Sequence, residues 1–418
     1  MNTSHSDVLI LGGGVIGLSC ALYLLKAGAG VRILEQDTVG AGSSHGNCGT
    51  LTPSHAEPLC MPGMVGRALH WMLRRDAPLY VNPRPDLKRL RWLLGFARHC
   101  NWRDYAHASQ ARAAILLRSR GLIEELVHGE GLDCQFATDG TLNVFLTRAA
   151  MDAEQHHVER LRELDVPVEW KSADEVQAME PALREEIIGG IHYPGDARIR
   201  PDRYVDELAR RVRELGGVIE EGTRVERFST AQGNIRKVRT RRGDFSGERV
   251  IMALGAWSPK LGAKLGLHLP MQPGKGYSIT YARPASCPRI PLTLNEVSVC
   301  VTSWESGFRL GSTMEFSGYD RRVNEARLAA LERGAAQYLR EPTGPRVEEK
   351  WWGWRPMSVD ELPIIGPSTR WSNLMLATGH GMMGMSMSAA TAELVASLCL
   401  GPAPVLDPSP YAPSRFHL

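Results

Sequence analysis

A short apolar run, Asp7-Val8-Leu9-Ile10-Leu11, breaks into Gly12-Gly13-Gly14-Val15-Ile16-Gly17 and then into helical spacing over residues 18–26. No other feature limits the fold of this chain as strongly. A run apolar at every position suits a strand buried on both faces of a parallel sheet, and such strands need a helical crossover. Gly12 permits the tight turn, Gly14 lets a phosphate approach the backbone, and Gly17 lets helix and strand pack closely. Residues 28–30 end the helix, and Val31-Arg32-Ile33-Leu34 forms a second strand that closes on Glu35. The helix N-terminus would face phosphate charge while Glu35 accepts from the hydroxyls of a ribose, which together make a dinucleotide site. Glu35 would repel a 2′-phosphate, so NADP is disfavoured. The motif alone does not separate NAD from FAD.

Bulk composition excludes several classes. The net charge of +3 arises from 49 basic and 46 acidic side chains that are well mixed, against a nucleic-acid binder. The basic run at 236–242 (RKVRTRR) reads as a solvated strand or loop edge, or as a surface for an anionic membrane or partner. None of the eight cysteines stands in a CxxC or zinc-type spacing, so no metal site is expected. No apolar run reaches the 18 or so residues a spanning helix needs. The first residues carry neither a basic n-region nor an apolar h-region, so no secretory signal is expected. These readings point to a cytoplasmic protein with reduced cysteines, and leave open a peripheral contact with the inner face of the membrane.

Glycine, at 42 of 418 residues, gathers into loops. Residues 40–49 (GAGSSHGNCG) form a small, polar segment that can wrap a diphosphate or simply cross the surface. Far along the chain, residues 373–377 read as a strand, 378–384 (TGHGMMG) as a turn and 386–400 as a helix ending at Gly401. The start of that helix suits negative charge such as an anionic reduced flavin. Met382, Met383, Met385 and Met387 are adaptable packing or one side of a flat cofactor. Further strands at 217–225 and 249–258, with a helix at 201–215, extend the first unit. Helices at 106–129 and 324–340 and a β-rich stretch at 270–319 fall outside it.

These motifs together resemble the D-amino-acid dehydrogenase group of the FAD-dependent amine oxidoreductases, the superfamily of D-amino acid oxidase, glycine oxidase and sarcosine oxidase. The resemblance runs over nearly the whole length. It takes in GGGVIG with Glu35, GAGSSHGNCG, residues 58–101, VIMALGAWS at 250–258 and GKGYS at 274–278. It continues through RLGSTMEFSGY at 309–319, GWRPMSVDELPIIG at 353–366, TGHGMMG and DPSPYAPSRF at 407–416. It implies an α/β fold: a Rossmann-like FAD-binding domain, discontinuous over 1–85, 195–262 and 352–418. A discontinuous α+β substrate domain carrying an antiparallel sheet would occupy 86–194 and 263–351.

The resemblance also implies a cofactor layout with non-covalent FAD. Its pyrophosphate would lie over Gly12, Gly14, Val15, Ile16 and Gly17, and its ribose on Glu35 beside Gln36. Ser43, Ser44, Asn47 and the backbone of Cys48, Gly49 and Thr50 would line it, with Val225 on the adenosine side and Gly255 nearby. His380, Gly381, Met382, Met383, Gly384, Met385 and Ser386 would run along the ring. Sarcosine oxidases tether flavin through a cysteine near GWRP, where this chain has Gly353.

For chemistry, the resemblance implies hydride transfer from the substrate α-carbon to flavin N5 and an imino acid that hydrolyses to a 2-oxo acid. Arg355 would grip the substrate carboxylate. Tyr277 is a second carboxylate partner, a pocket wall or an ordinary strand tyrosine, and His55 orients the amine or is structural. Glycine oxidase has a second arginine where this chain has Met382, which predicts an apolar pocket for uncharged side chains or a cyclic imino acid. Arg309 stands on the strand where the sarcosine branch carries an oxygen-activating lysine, which favours a dehydrogenase. The expected enzyme oxidises D-amino acids and passes electrons to a quinone or carrier. A D-proline or hydroxy-D-proline dehydrogenase and an oxygen-using oxidase are the alternatives. A nucleotide sensor would not need Arg355, and an NAD-linked dehydrogenase leaves the second glycine unit without a role.

Overall fold

The computed structural model describes residues 3–72 and 79–418. Residues 1–2 and part of the 58–101 segment, 73–78, lie outside them. The strand Thr3–Leu11 sits inside a mixed sheet, parallel to Val31–Leu34 on one side and to Gly243–Met252 on the other. Leu9, Ile10 and Leu11 are wholly buried, as expected of a strand covered on both faces. Val218–Glu220 extends the sheet beyond Val31–Leu34, and Leu374–Thr378 runs parallel to the C-terminal end of Gly243–Met252. An antiparallel hairpin, Val225–Ala231 with Asn234–Thr240, closes the other edge, and its exposed arginines account for the basic run at 236–242. Three stretches widely separated in sequence, 3–34, 218–252 and 364–378, thus build one sheet.

Helix Val15–Lys26 covers this sheet by packing against helices Pro201–Glu214 and Ser388–Leu400. Pro201–Glu214 buries Tyr204, Val205, Leu208 and Val212 at helical spacing, which places its arginines outward. Burying a leucine such as Leu18 or Leu22 contributes about 1.5–3 kcal/mol, and the alanines of Ser388–Leu400 let the helices approach. Helix Trp102–Gly129 begins one turn before the expected residue 106, because Asn101 caps it through the amide of Asp104.

A second, ten-stranded sheet centres on the long strand Met271–Tyr281, which pairs antiparallel with Val347–Ser358 and Gly307–Gly311. Two of its pairings are parallel: Leu292–Leu294 with Thr141–Phe145, and Met314–Phe316 with Leu79–Val81. Leu79–Val81 therefore joins this sheet although it lies before residue 85, and Val347–Ser358 runs unbroken through 351–352.

The cofactor turn is sterically constrained at Gly17, where a Cβ would stand 2.0 Å from the carbonyl oxygen of Gly12. Gly17→Ala must displace backbone on the cofactor turn, an overpacking cost of about 1–3 kcal/mol. We expect a lower Tm for the FAD-free variant than for the FAD-free parent by circular dichroism. An equal Tm would mean that the turn yields without strain.

Candidate active site

The first sheet ends its parallel strands at one edge, and there Gly12, Leu34, Ala253 and Thr378 open onto a cavity of about 980 Å³. That is the position at which open α/β sheets bind ligands, and the volume lies at the upper end of the usual range of about 300–1,000 Å³. Gly12 holds φ +108°, and a Cβ on it would meet the Ala253 carbonyl oxygen at 2.4 Å. Gly14 precedes the helix in extended conformation with no capping side chain, and the Val15 amide donates to Ser44 Oγ at 3.1 Å. The Glu35 carboxylate accepts from the amides of Gly13 and Asp37 at 2.7 and 2.9 Å. Burial raises its pKa, and those amides pull it back. Val15, Ile16, Gln36, Ser43, Asn47, Cys48, Thr50, Val225 and Gly255 also line the cavity. Gly17 and Gly49 do not: Gly17 is a packing contact, and the Gly49 amide donates to Asn47 Oδ1.

Gly381, Met382, Met383, Gly384, Met385 and Ser386 border the same space. The segment is held down by the Gly381 amide on the Pro356 carbonyl at 3.0 Å and by Ser386 Oγ on the Thr50 carbonyl at 3.1 Å. His380 borders it too, but its imidazole shares a hydrogen bond with Thr391 Oγ1 at 3.0 Å, and burial lowers its pKa to about 3. Its ring is therefore a neutral packing element. Opposite stand Trp257, Trp352, Trp354 and Tyr319 in edge contacts. Trp354 Nε1 is buried with no hydrogen-bond partner among the described residues. The glycine cradle, an unused indole donor and a ribose-type acceptor fit FAD. Gly353 has no room for a side chain, since a Cβ would meet the Trp351 ring at 2.2 Å.

Three arginines lie near the remaining end, Arg112 and Arg309 buried and Arg355 half-buried, and their partners separate them. Arg112 donates to the carbonyls of His55, Ala56 and Glu361, and so fixes the turn Pro53–His55. Arg309 donates to Thr280 Oγ1 and to the carbonyls of His45 and Asn47. It braces the 40–49 loop without lining the cavity, so the expectation that it reports on the electron acceptor falls. Arg355 lines the cavity, donates through Nη1 to the Thr313 carbonyl at 2.7 Å, and meets no carboxylate among the described residues. Strand register sets Arg355 opposite Gly274, and a Cβ on the neighbouring Gly276 would fall 2.6 Å from its guanidinium carbon. Within GKGYS, Gly276 makes the space that this side chain fills, while Gly274 makes room for Met314 and Met357.

Tyr277 forms part of the wall, but its hydroxyl donates to Glu315 Oε2 at 3.1 Å within the core of the second sheet. It is a strand tyrosine, and the reading as a second carboxylate partner has no free hydroxyl to support it. His55 lines the cavity and is exposed. Burial, with the charges of His157 and Arg112, lowers its pKa to about 4, so the ring is neutral near pH 7. Sequence reasoning missed His157, whose Nδ1 lies 2.5 Å from Glu57 Oε2, while Tyr105 donates to the other carboxylate oxygen. Burial opposes charge on His157, but Glu57 outweighs it and raises the pKa. His157 lines the cavity with Thr141, Asn143, Glu154 and Asn295. The pocket is thus not apolar throughout: Met382 adjoins an aromatic end, and a polar arm lies beyond. The QHHVERLRE stretch looks like any solvated helix, and only chain crossing gives His157 its place.

Beneath this arm the buried Asp196 accepts from Ser54 N, Ser54 Oγ and Thr141 Oγ1 at 3.1, 2.6 and 2.6 Å. Burial raises its pKa to about 6 despite those bonds. An acid raised on folding favours the protonated state, so the stability this gives is present at low pH and is lost as pH rises from about 4 through 6. Asp196→Asn should remove that slope, and urea unfolding of wild type and variant at pH 4.5 and 7.5 checks it. A stability difference that is the same at both pH values would rule Asp196 out as its source.

Residues 7–398 match the family described as FAD dependent oxidoreductase. The chain is 34% identical over 417 residues to a D-amino acid dehydrogenase of Agrobacterium fabrum, covering 98% of this chain and 99% of that protein. It is 32% identical over 417 residues to a D-amino acid dehydrogenase of Bradyrhizobium diazoefficiens, covering 98% of each. Its fold superposes on the crystal structure of glycine oxidase from Geobacillus kaustophilus with a TM-score of 0.80 and 25% identity, over 98% of both chains. A cradle that fits FAD at the switch edge of the first sheet, and family agreement over almost the entire length, lead to one conclusion: this chain is a member of the FAD-dependent oxidoreductase family.

Proposed function

We propose that the protein oxidises D-amino acids to imino acids, which hydrolyse in water to 2-oxo acids. One observation carries the reading: Arg355 is a half-buried cation at the cavity wall with no acidic partner among the described residues. A desolvated guanidinium is costly unless an anion meets it, and a planar carboxylate matches its fork. Two relatives named D-amino acid dehydrogenase support the choice of substrate and of hand. Bound FAD supplies the acceptor for a hydride from the substrate α-carbon. The neutral His55 would favour the uncharged amine, and the turn around Gly381 and Met382 would hold the cofactor without a covalent bond. We assign the cofactor domain to 1–85, 195–262 and 352–418, and the substrate domain to 86–194 and 263–351, with Leu79–Val81 and residues 352–358 crossing over to pair into the substrate-side sheet. The polar arm of Thr141, Asn143 and His157 favours, within this chemistry, a substrate whose side chain forms hydrogen bonds, such as a hydroxylated cyclic imino acid. Anaerobic mixing with D- and L-amino acids tests the reading: the D set should bleach the flavin, and bleaching by the L set would reverse the hand. In the same assay Arg355→Ala should lower kcat/KM by about 10- to 150-fold, the value of a charge-assisted contact of about 1.5–3 kcal/mol, with FAD still bound.

We further propose that electrons pass to a quinone at an anionic membrane surface on the cytoplasmic side. No helix among the described residues is long and apolar enough to cross a membrane. Helix Leu87–His99 nevertheless turns leucines outward: Leu87, Leu90 and Leu94 are 84%, 52% and 55% exposed on one face. Its inward side is anchored by Trp92 Nε1 on the Met357 carbonyl and by Arg89 on the Asn82 carbonyl. Exposed Lys88, Arg91 and Arg98 flank the leucines, a pairing that suits the interface of anionic lipid. Wild type should sediment with vesicles of anionic phospholipid, and Leu90→Asp/Leu94→Asp should stay in the supernatant. Equal partition of the two would remove this face from consideration.

A further inference from the structure

The two sheets meet at a pair of thiols that no part of the reaction above uses. Cys48 lies in the 40–49 loop and Cys300 on strand Val299–Trp304, and both border the cavity. Strand register sets Cys300 directly opposite Gly311. Side chains at such facing positions lie about 4.5–5.5 Å apart at Cβ. Gly311 has no side chain, and Cys48 Sγ enters that space, 2.4 Å from where a Cβ on Gly311 would stand. The Cys300 thiol is thereby placed to donate to Cys48 Sγ across that space. The loop cannot drift from this position. Arg309 holds the carbonyls of His45 and Asn47, just ahead of Cys48, and Ser278 Oγ donates to the Gly46 carbonyl at 3.1 Å.

We propose that Cys48 and Cys300 form a redox-active dithiol that small disulfides oxidise to an intramolecular disulfide, a reversible staple between the loop and the second sheet. Cys48 is the attacking sulfur. Its bond from Cys300 and the charges of Arg309 and Arg355 hold its thiol below the ordinary range against burial, whereas the same bond and burial push Cys300 up. The Cys48 thiolate attacks one sulfur of a disulfide RSSR, forming a mixed disulfide and releasing RS⁻. Cys300 then loses its proton and attacks Cys48 Sγ, releasing the second RS⁻. In sum, two protein thiols and RSSR give one protein disulfide and two RSH, with two electrons and two protons passed to the reagent. Cys20, Cys60, Cys134 and Cys399 are buried and their thiols are raised by burial, so they do not compete as nucleophiles. The closed loop runs from residue 48 to residue 300, a span over which a cross-link restricts the unfolded chain strongly.

The FAD-loaded enzyme treated with 2-hydroxyethyl disulfide should lose two titratable thiols and about 2 Da, the mass of two hydrogens lost in forming the bond. A Cys48–Cys300 cross-linked peptide should appear, and dithiothreitol should reverse all three changes. Cys300→Ser, or Cys300→Ala if the serine variant is poorly folded, should stop at a mixed disulfide on Cys48. The oxidised wild type should melt above the reduced form, and the Cys300 variant should not. A disulfide mapped elsewhere, a wild type that keeps the mixed disulfide, or equal melting of its two redox forms would overturn the proposal. Mass and melting require no turnover, so the outcome is independent of the substrate reading.

Discussion

The molecule depends on the parallel pairing of Thr3–Leu11 with Gly243–Met252, and on Leu374–Thr378 joining that strand near its end. Parallel strands with the same polarity finish at the same edge, so three turns from distant parts of the chain open onto one space. Helices Val15–Lys26 and Ser388–Leu400 pack together behind that edge. Each helix is apolar enough to need the other. The dinucleotide turn therefore acquires its second wall from the same burial that stabilises the domain.

The second sheet performs a different task. Its long strands carry Arg355 into the cavity, and Gly276 of the facing strand leaves the volume that the guanidinium occupies. The same sheet holds Arg309, which looks equivalent as a residue but serves a different end. Its hydrogens are committed to loop carbonyls and Thr280, while Arg355 keeps donors free for a ligand. What distinguishes a binding arginine from a bracing one here is the count of satisfied acceptors around it.

Much of this was legible beforehand. GGGVIG, the acidic strand end and TGHGMMG carry local requirements, a positive φ, a bare helix start and an acceptor, that only a few residue types meet. Glu35 and Arg355 line the cavity as expected. The readings that sequence left open involve residues whose surroundings come from far away. Tyr277 looks free until Glu315 takes its hydroxyl, and His380 points its ring into the helix beneath while its neighbours border the cavity. The apolar pocket inferred from Met382 described one end only, because the polar arm is supplied by Thr141, Asn143 and His157.

By itself, then, the sequence determined the parallel α/β core and the dinucleotide turn, which follow from spacing within some twenty residues, and the resemblance to a flavin-dependent family, which rests on ordered motifs along nearly the whole chain. Tertiary structure alone decided which cavity arginine stays without an acidic partner, which histidine's pKa the Glu57 carboxylate raises, and that Cys48 and Cys300 come together. The reason is physical. Those properties are set by sheet register and loop closure between segments far apart in the chain, and neither leaves a periodic mark on it.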